Sequence, residues 1–179
     1  DHTAKNEGRL SLNPIHHIDP FLTILLPLIL ALLHAPIFGG AKPVPFNPQA
    51  VRGGAYGAAL VGLAGPLTNL VLSFILFAVY ALLGTPTGLF GNFLEIAIVV
   101  NLGFFIFNMI PIPPLDGSRA LYAVAPEPVQ RFMEFLEQNG LIIVFAVVML
   151  FSSQIGQIIF TAQQAIWRFY DALFGISVI

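Results

Sequence analysis

NMIPIPPLDG, residues 108–117, closes a run from Ile96 to Leu115 without a charged side chain and then presents one carboxylate, Asp116, behind Pro111, Pro113 and Pro114. Proline has no N–H to donate and pushes the residue before it out of helical geometry. An apolar helix entering this stretch therefore breaks near Ile110–Leu115, and a second helical piece begins at Asp116-Gly117 and continues through SRALYAVA. A carboxylate at the edge of an apolar segment is costly to hold away from water. On the residues alone, two accounts stand. Either Asp116 is the N-cap of the second piece, satisfying its free amides, or the break aims it at a cavity or at water.

Working outward, the rest of the chain explains why an apolar helix is expected there. Of the 179 residues, 57% are hydrophobic and 9% charged, against roughly a quarter charged in an ordinary soluble domain. Residues 20–41, 53–94 and 138–167 contain no Asp, Glu, Lys or Arg, and each is long enough for a bilayer-crossing helix of about 20 residues. The sequence predicts an all-α membrane protein forming one domain, with apolar spans at 21–38, 56–83, 93–112 and 141–164. The 21–38 segment contains Pro27, His34 and Pro36. It is either a kinked span or one that does not cross fully, because an interrupted helix survives at membrane depth only when other protein covers it. Residues 1–20 read as a polar connector in which Asp19 caps the first apolar helix through Pro20. Residues 39–55 read as a Pro/Gly-rich loop, too rich in proline for a central strand.

Three further features shape the expected packing. Ala58, Gly62 and Gly65 place a small-residue strip on the second span, where another helix can approach closely. In PEPVQRFMEFLEQNG, residues 126–140, Val129, Phe132, Met133 and Leu136 oppose Gln130, Arg131, Glu134 and Glu137, the pattern of a short amphipathic helix lying in the membrane interface. WRFYD, residues 167–171, has the composition of a headgroup anchor at the end of the fourth span. Lys5 and Arg9 precede the first apolar segment while Lys42 and Arg52 follow it, so the basic residues give no orientation. Net charge is −2 with scattered Lys and Arg, which shows no nucleic-acid face. The absence of cysteine excludes disulfides, Cys-ligated zinc and thiol catalysis.

NMIPIPPLDG resembles the Asn-x-x-Pro-x-Pro-Pro-Leu-Asp-Gly signature of the site-2 proteases, the intramembrane zinc metalloproteases, in their small bacterial and archaeal branch. AKNEGRLSLNPIHHIDP, GAKPVPFNP and GLAGPLTN resemble the same branch in the same order, so the likeness covers nearly the whole chain. It implies a prokaryotic plasma-membrane protein with zinc as cofactor and Asp116 as the third zinc ligand. By position, Asn108 matches the motif asparagine and Asn69 the polar residue of the preceding span. Together with Pro113 and Pro114 they are the candidate substrate-binding or site-shaping residues.

The departure from the family pattern is that no HExxH sequence is present. In the family that helix supplies two histidine ligands and the glutamate that activates water, and it lies before the stretch resembling AKNEGRL. No catalytic residue is therefore assigned within these residues, and the zinc is conditional on an upstream HExxH helix. A catalytic zinc needs three protein ligands and an open position. The spacing of His2, His16, His17 and His34 matches no ligand pair, and His34 is expected to bond a neighbouring helix.

The expected function is hydrolysis of peptide bonds in membrane-embedded substrates, with lipids and a transmembrane protein substrate or neighbouring membrane subunits as partners. The alternative is a catalytically inactive homologue serving as a membrane scaffold or subunit of a larger complex. A transporter component is disfavoured because no second broken helix or internal repeat is visible. The 179 residues on their own are expected to show no proteolysis.

Overall fold

A computed structural model of the chain describes residue 13, residues 18–34, residues 39–40 and residues 51–176, with only the backbone of Leu141. Most of the polar connector, His2, His16 and His17, and the greater part of the Pro/Gly loop lie outside these. Among the described residues the architecture is all-helical. Helix α1 is Pro20–Leu32, followed by α2 (Gly54–Leu82), α3 (Gly88–Asn108), α4 (Asp116–Val124), α5 (Glu127–Gln138) and α6 (Gly140–Phe174).

Three helices are long and apolar enough to cross a bilayer: α2 with 29 residues, α3 with 21, and 33 residues of α6 from Ile142. Helix α1 is not. It opens as a 6-residue π-helix, Pro20–Leu25, and runs into a 7-residue α-helix, Leu26–Leu32, about 20 Å in all. Asp19 caps it as expected, its Oδ1 accepting from the amides of Phe21 and Leu22 at 2.9 Å. After Leu32 the backbone turns at His34, whose φ is +53°. By Gly40 it is back beside the start of the helix, donating to the Leu22 carbonyl at 3.0 Å. Among the described residues the helix of the 21–38 segment ends at Leu32, shorter than the three long apolar helices. His34 is exposed in this turn.

Helices α2 and α3 form an antiparallel hairpin, and α6 docks its C-terminal half across both. Phe77, Ile98, Leu102 and Tyr170 form the buried centre, with Trp167 and Phe174 packed around it. Phe77 meets Trp167 edge-on at 5.2 Å and Tyr170 at the same separation. Interhelical polar contacts accompany the rings. Ser73 Oγ and Tyr170 OH lie 3.1 Å apart, Tyr80 donates to Glu95 at 2.7 Å, and Gln163 donates to the Val99 carbonyl at 2.9 Å across the bare face of Gly103. Each such bond inside a membrane contributes about 0.6 kcal/mol on average, so ring packing carries most of the association. Trp167 and Tyr170 of the WRFYD segment pack in this core. The spacing of Trp167, Tyr170 and Phe174 puts all three on the helix face turned toward Phe77, leaving Phe169 exposed.

Helix α3 stops at Asn108, where the proline run was expected to break it. Short bonds from Ile112 to the Ile110 carbonyl and from Leu115 to the Ile112 carbonyl, both 2.9 Å, carry the chain around the corner. Two glycines make the corner possible. A Cβ on Gly117 would stand 2.4 Å from the Met109 carbonyl oxygen, and one on Gly140 would stand 2.8 Å from Pro114 Cγ. The first turn of α4 is therefore pressed on the backbone at the end of α3, and the start of α6 on the proline ring. Gly117→Ala is expected to destabilise the protein by about 1–3 kcal/mol, at the upper end because backbone cannot yield. Gly156→Ala, where an added methyl meets nothing within 4 Å, is the control and should be neutral or stabilising. Thermal unfolding in detergent followed by circular dichroism separates the two.

Candidate functional site

The corner delivers Asp116 as the first residue of α4. Leu115 occupies the N-cap, no side chain caps the helix, and the free first-turn hydroxyl, Ser118 Oγ, donates to the Leu115 carbonyl at 2.7 Å. The N-cap account of Asp116 therefore fails: the residue is one position too far along, inside the helix, and its carboxylate points elsewhere. It points at α2. A Cβ built on Gly65 would stand 3.6 Å from Asp116 Oδ2, and one on Gly62 would stand 3.3 Å from the Asp116 carbonyl oxygen. The small-residue strip read from the sequence is where α4 lies, running antiparallel to α2. Gly65 is about 16 Å along a helix of about 43 Å, so the carboxylate stands level with the middle third of a membrane-crossing segment.

That position costs energy. Asp116 is half-buried, with Arg119 one turn on along the same helix. The carboxylate is thus half-buried and caps no helix. Among the described residues no three of His, Asp or Glu come close enough to hold a metal ion.

The other sequence candidates surround the carboxylate to different degrees. Asn69 lies on α2 one turn beyond Gly65, on the same face and half-buried. Asn108 donates through Nδ2 to the Phe104 carbonyl of its own helix at 2.9 Å, which holds the last turn of α3 at the break. Pro113 is buried and Pro114 packs on the start of α6. Pro113–Pro114 is a cis peptide bond. The stretch therefore separates into one residue aimed at α2 and several that build the corner.

The sequence reading did not foresee the cavity beside the site. A space of about 660 Å³ opens between the start of α2, α4 and α5, with Ala58, Pro113 and Met133 on its apolar wall and Arg119, Tyr122, Glu134 and Glu137 on its polar one. Asp116 is not on its wall. Tyr122 OH donates to Glu134 at 2.6 Å, Gln130 donates to the Tyr122 carbonyl at 2.9 Å, and Arg119 Nη2 lies 3.9 Å from Glu137 Oε1. Helix α5 is amphipathic as predicted. Its Glu134 and Glu137 engage α4 while Phe132 and Phe135 remain about 60% exposed. The signal available in the sequence was Arg119 itself, three residues after Asp116 and so on its face; the pairing of Tyr122 with Glu134 spans two helices and leaves no local trace.

Comparison with known proteins bears on the site. The model of Peptidase family M50 matches residues 84–153, which include the helix break and Asp116. Two relatives carry the name "Putative zinc metalloprotease". YwhC of Bacillus subtilis is 37% identical over 185 residues, covering 97% of this chain and 81% of its own length. Rip2 of Mycolicibacterium smegmatis is 30% identical over 173 residues, covering 96% of this chain and 63% of its own. No solved structure matches the chain.

Proposed function

This chain belongs to peptidase family M50, the site-2 proteases, and we propose that it hydrolyses peptide bonds of membrane-embedded substrates, with Asp116 as one zinc ligand and an HExxH helix outside these residues completing the site. It is an integral, multi-pass membrane protein, so both its surroundings and its family point to substrates that are themselves in the membrane. The observation that carries the proposal is the placement of Asp116: half-buried, unused as a cap, and held against Gly65 at the depth of a span.

When bound, zinc supplies a Lewis acid and brings the pKa of a coordinated water to about 7. The chain's own residues do the rest. The break after Asn108 ends α3 so that the chain can turn and start α4 at Asp116. Gly117 and Gly65 let the carboxylate-bearing turn sit between α3 and α2 without a side chain in the way. Asn69, on the carboxylate's side of α2, offers an amide that hydrogen-bonds the backbone of an unwound substrate. Asn108, Pro113 and Pro114 hold the corner so that Asp116 does not swing out. Helix α5 lies in the headgroup layer with Phe132 and Phe135 toward lipid, which closes the outer side of the cavity.

The test uses the protein together with its upstream segment, reconstituted in vesicles with a fluorogenic transmembrane peptide. Zinc-dependent cleavage is expected, abolished by a chelator and restored by zinc. Asp116→Asn should lower it by more than about 100-fold, beyond the loss from an outer-shell partner. Cleavage by Asp116→Asn within a few-fold of the unsubstituted protein overturns the ligand assignment. An absence of cleavage by the unsubstituted, zinc-loaded protein favours the scaffold alternative.

A further inference from the structure

Arg119 belongs both to the cavity wall and to the groove on α2. It stands one helical turn after Asp116, so both side chains leave α4 toward α2. An added methyl on Gly62 would be 2.6 Å from Arg119 Cδ and 3.3 Å from its Cβ, so the stem of the arginine lies flat on the glycine. The guanidinium continues to α5, ending 3.9 Å from Glu137 Oε1. One side chain thus spans the helix that carries Asp116, the helix it faces and the helix that follows.

The two ends of this side chain differ in weight. The ion pair is long and its partners are 30% and 59% exposed, conditions under which such pairs contribute little. The stem is held against a glycine with no spare room, where one added carbon forces a shift. The same methyl would crowd the Asp116 carbonyl oxygen, so whatever sets the height of Arg119 above Gly62 also sets the height of Asp116.

We propose that Arg119, seated on Gly62, is the positioning residue for Asp116: its stem fixes how closely the first turn of α4 approaches α2, and therefore where the carboxylate stands. The consequence for metal binding rests on the reading of Asp116 as a ligand, whereas the packing itself is independent of any metal.

The chain has no cysteine, so the approach of α4 to α2 can be read by a cross-link between Gly65→Cys and Asp116→Cys, introduced into the full protein in its membrane. Asp116 Oδ2 is the only Asp116 atom within 4 Å of the Cβ position of residue 65, at 3.6 Å, so the two Cβ atoms stand more than 4 Å apart, at or past the long end of the about 3.5–4.5 Å over which disulfides form. The pair should cross-link through a short thiol-reactive bis-methanethiosulfonate reagent, whose yield in the otherwise unsubstituted protein is the reference. Gly62→Ala is expected to cut the yield about tenfold and Arg119→Ala severalfold, while Arg119→Lys, which keeps the stem, holds it near the reference. Adding Arg119→Ala to Gly62→Ala should give no further loss, because the Cδ that the methyl would meet at 2.6 Å is gone; coupling of this kind is what contacting residues show. Unchanged yield in Gly62→Ala, or losses that simply add, overturns the proposal. Should Gly62→Ala fail to fold, the contrast between Arg119→Lys and Arg119→Ala decides it, and equal yields overturn it.

A second measurement keeps the two readings apart. With Gly65 and Asp116 intact, Arg119→Ala should weaken zinc binding about tenfold, the size of effect expected from a residue that orients a ligand. Lost cross-linking with unchanged zinc affinity supports the positioning role and removes the ligand reading instead.

Discussion

The contact between Gly117 and the Met109 carbonyl is the constraint from which the site follows. A helix that ended at Asn108 and resumed a few residues later at a different angle would ordinarily leave a wide loop, and the residue after it would wander. Here the resumed helix sits directly on the backbone of the old one, with no room for a β-carbon between them. The prolines end α3, the glycine lets α4 begin at once, and Asp116 is caught between the two. Its direction is then set by what α4 lies on, the strip of Gly62 and Gly65 along α2. Three local facts, each about backbone access, convert an apolar hairpin into a holder for one carboxylate at the level of a membrane span.

The remainder of the fold keeps this holder rigid. The aromatic cluster of Phe77, Trp167 and Tyr170 ties α6 to the hairpin at the end away from the break. At the near end, Pro114 against Gly140 ties the start of α6 to the corner itself. The proline run is thus clamped on one side by α4 and on the other by α6. Between these two clamps the half-buried Asp116 is held at the first turn of α4.

What could be read from the sequence divides along the range of the physics involved. The break after Asn108, the cap at Asp19 and the small-residue strip are consequences of single residues or of spacing within one helix, and all three appear where the sequence placed them. The position of Asp116 within its helix needed structure, since an aspartate before a helix and one just inside it differ by a single residue. WRFYD has the composition of a headgroup anchor, and its packing against Phe77 depends on a register between helices that composition does not encode. The apolar run at 21–38 has the length of a span, yet its helix ends at Leu32 and the chain doubles back to Leu22, a return made by pairings with Gly40 that composition does not encode. The cavity between α4 and α5 depends on contacts across two helices, and no pattern along the chain announces it. The family resemblance read from four ordered stretches agrees with the comparison to known proteins. The histidines in residues 1–17 lie outside the described structure.

X-ray absorption at the zinc edge, on the full protein loaded with one equivalent of zinc in detergent, tests the central claim most directly. The account predicts a mixed nitrogen and oxygen shell that includes a carboxylate oxygen at about 2.0–2.2 Å, with that oxygen lost and zinc binding weakened in Asp116→Asn. An identical zinc spectrum and undiminished binding in Asp116→Asn would contradict it, and would leave the helix break as a feature of packing alone.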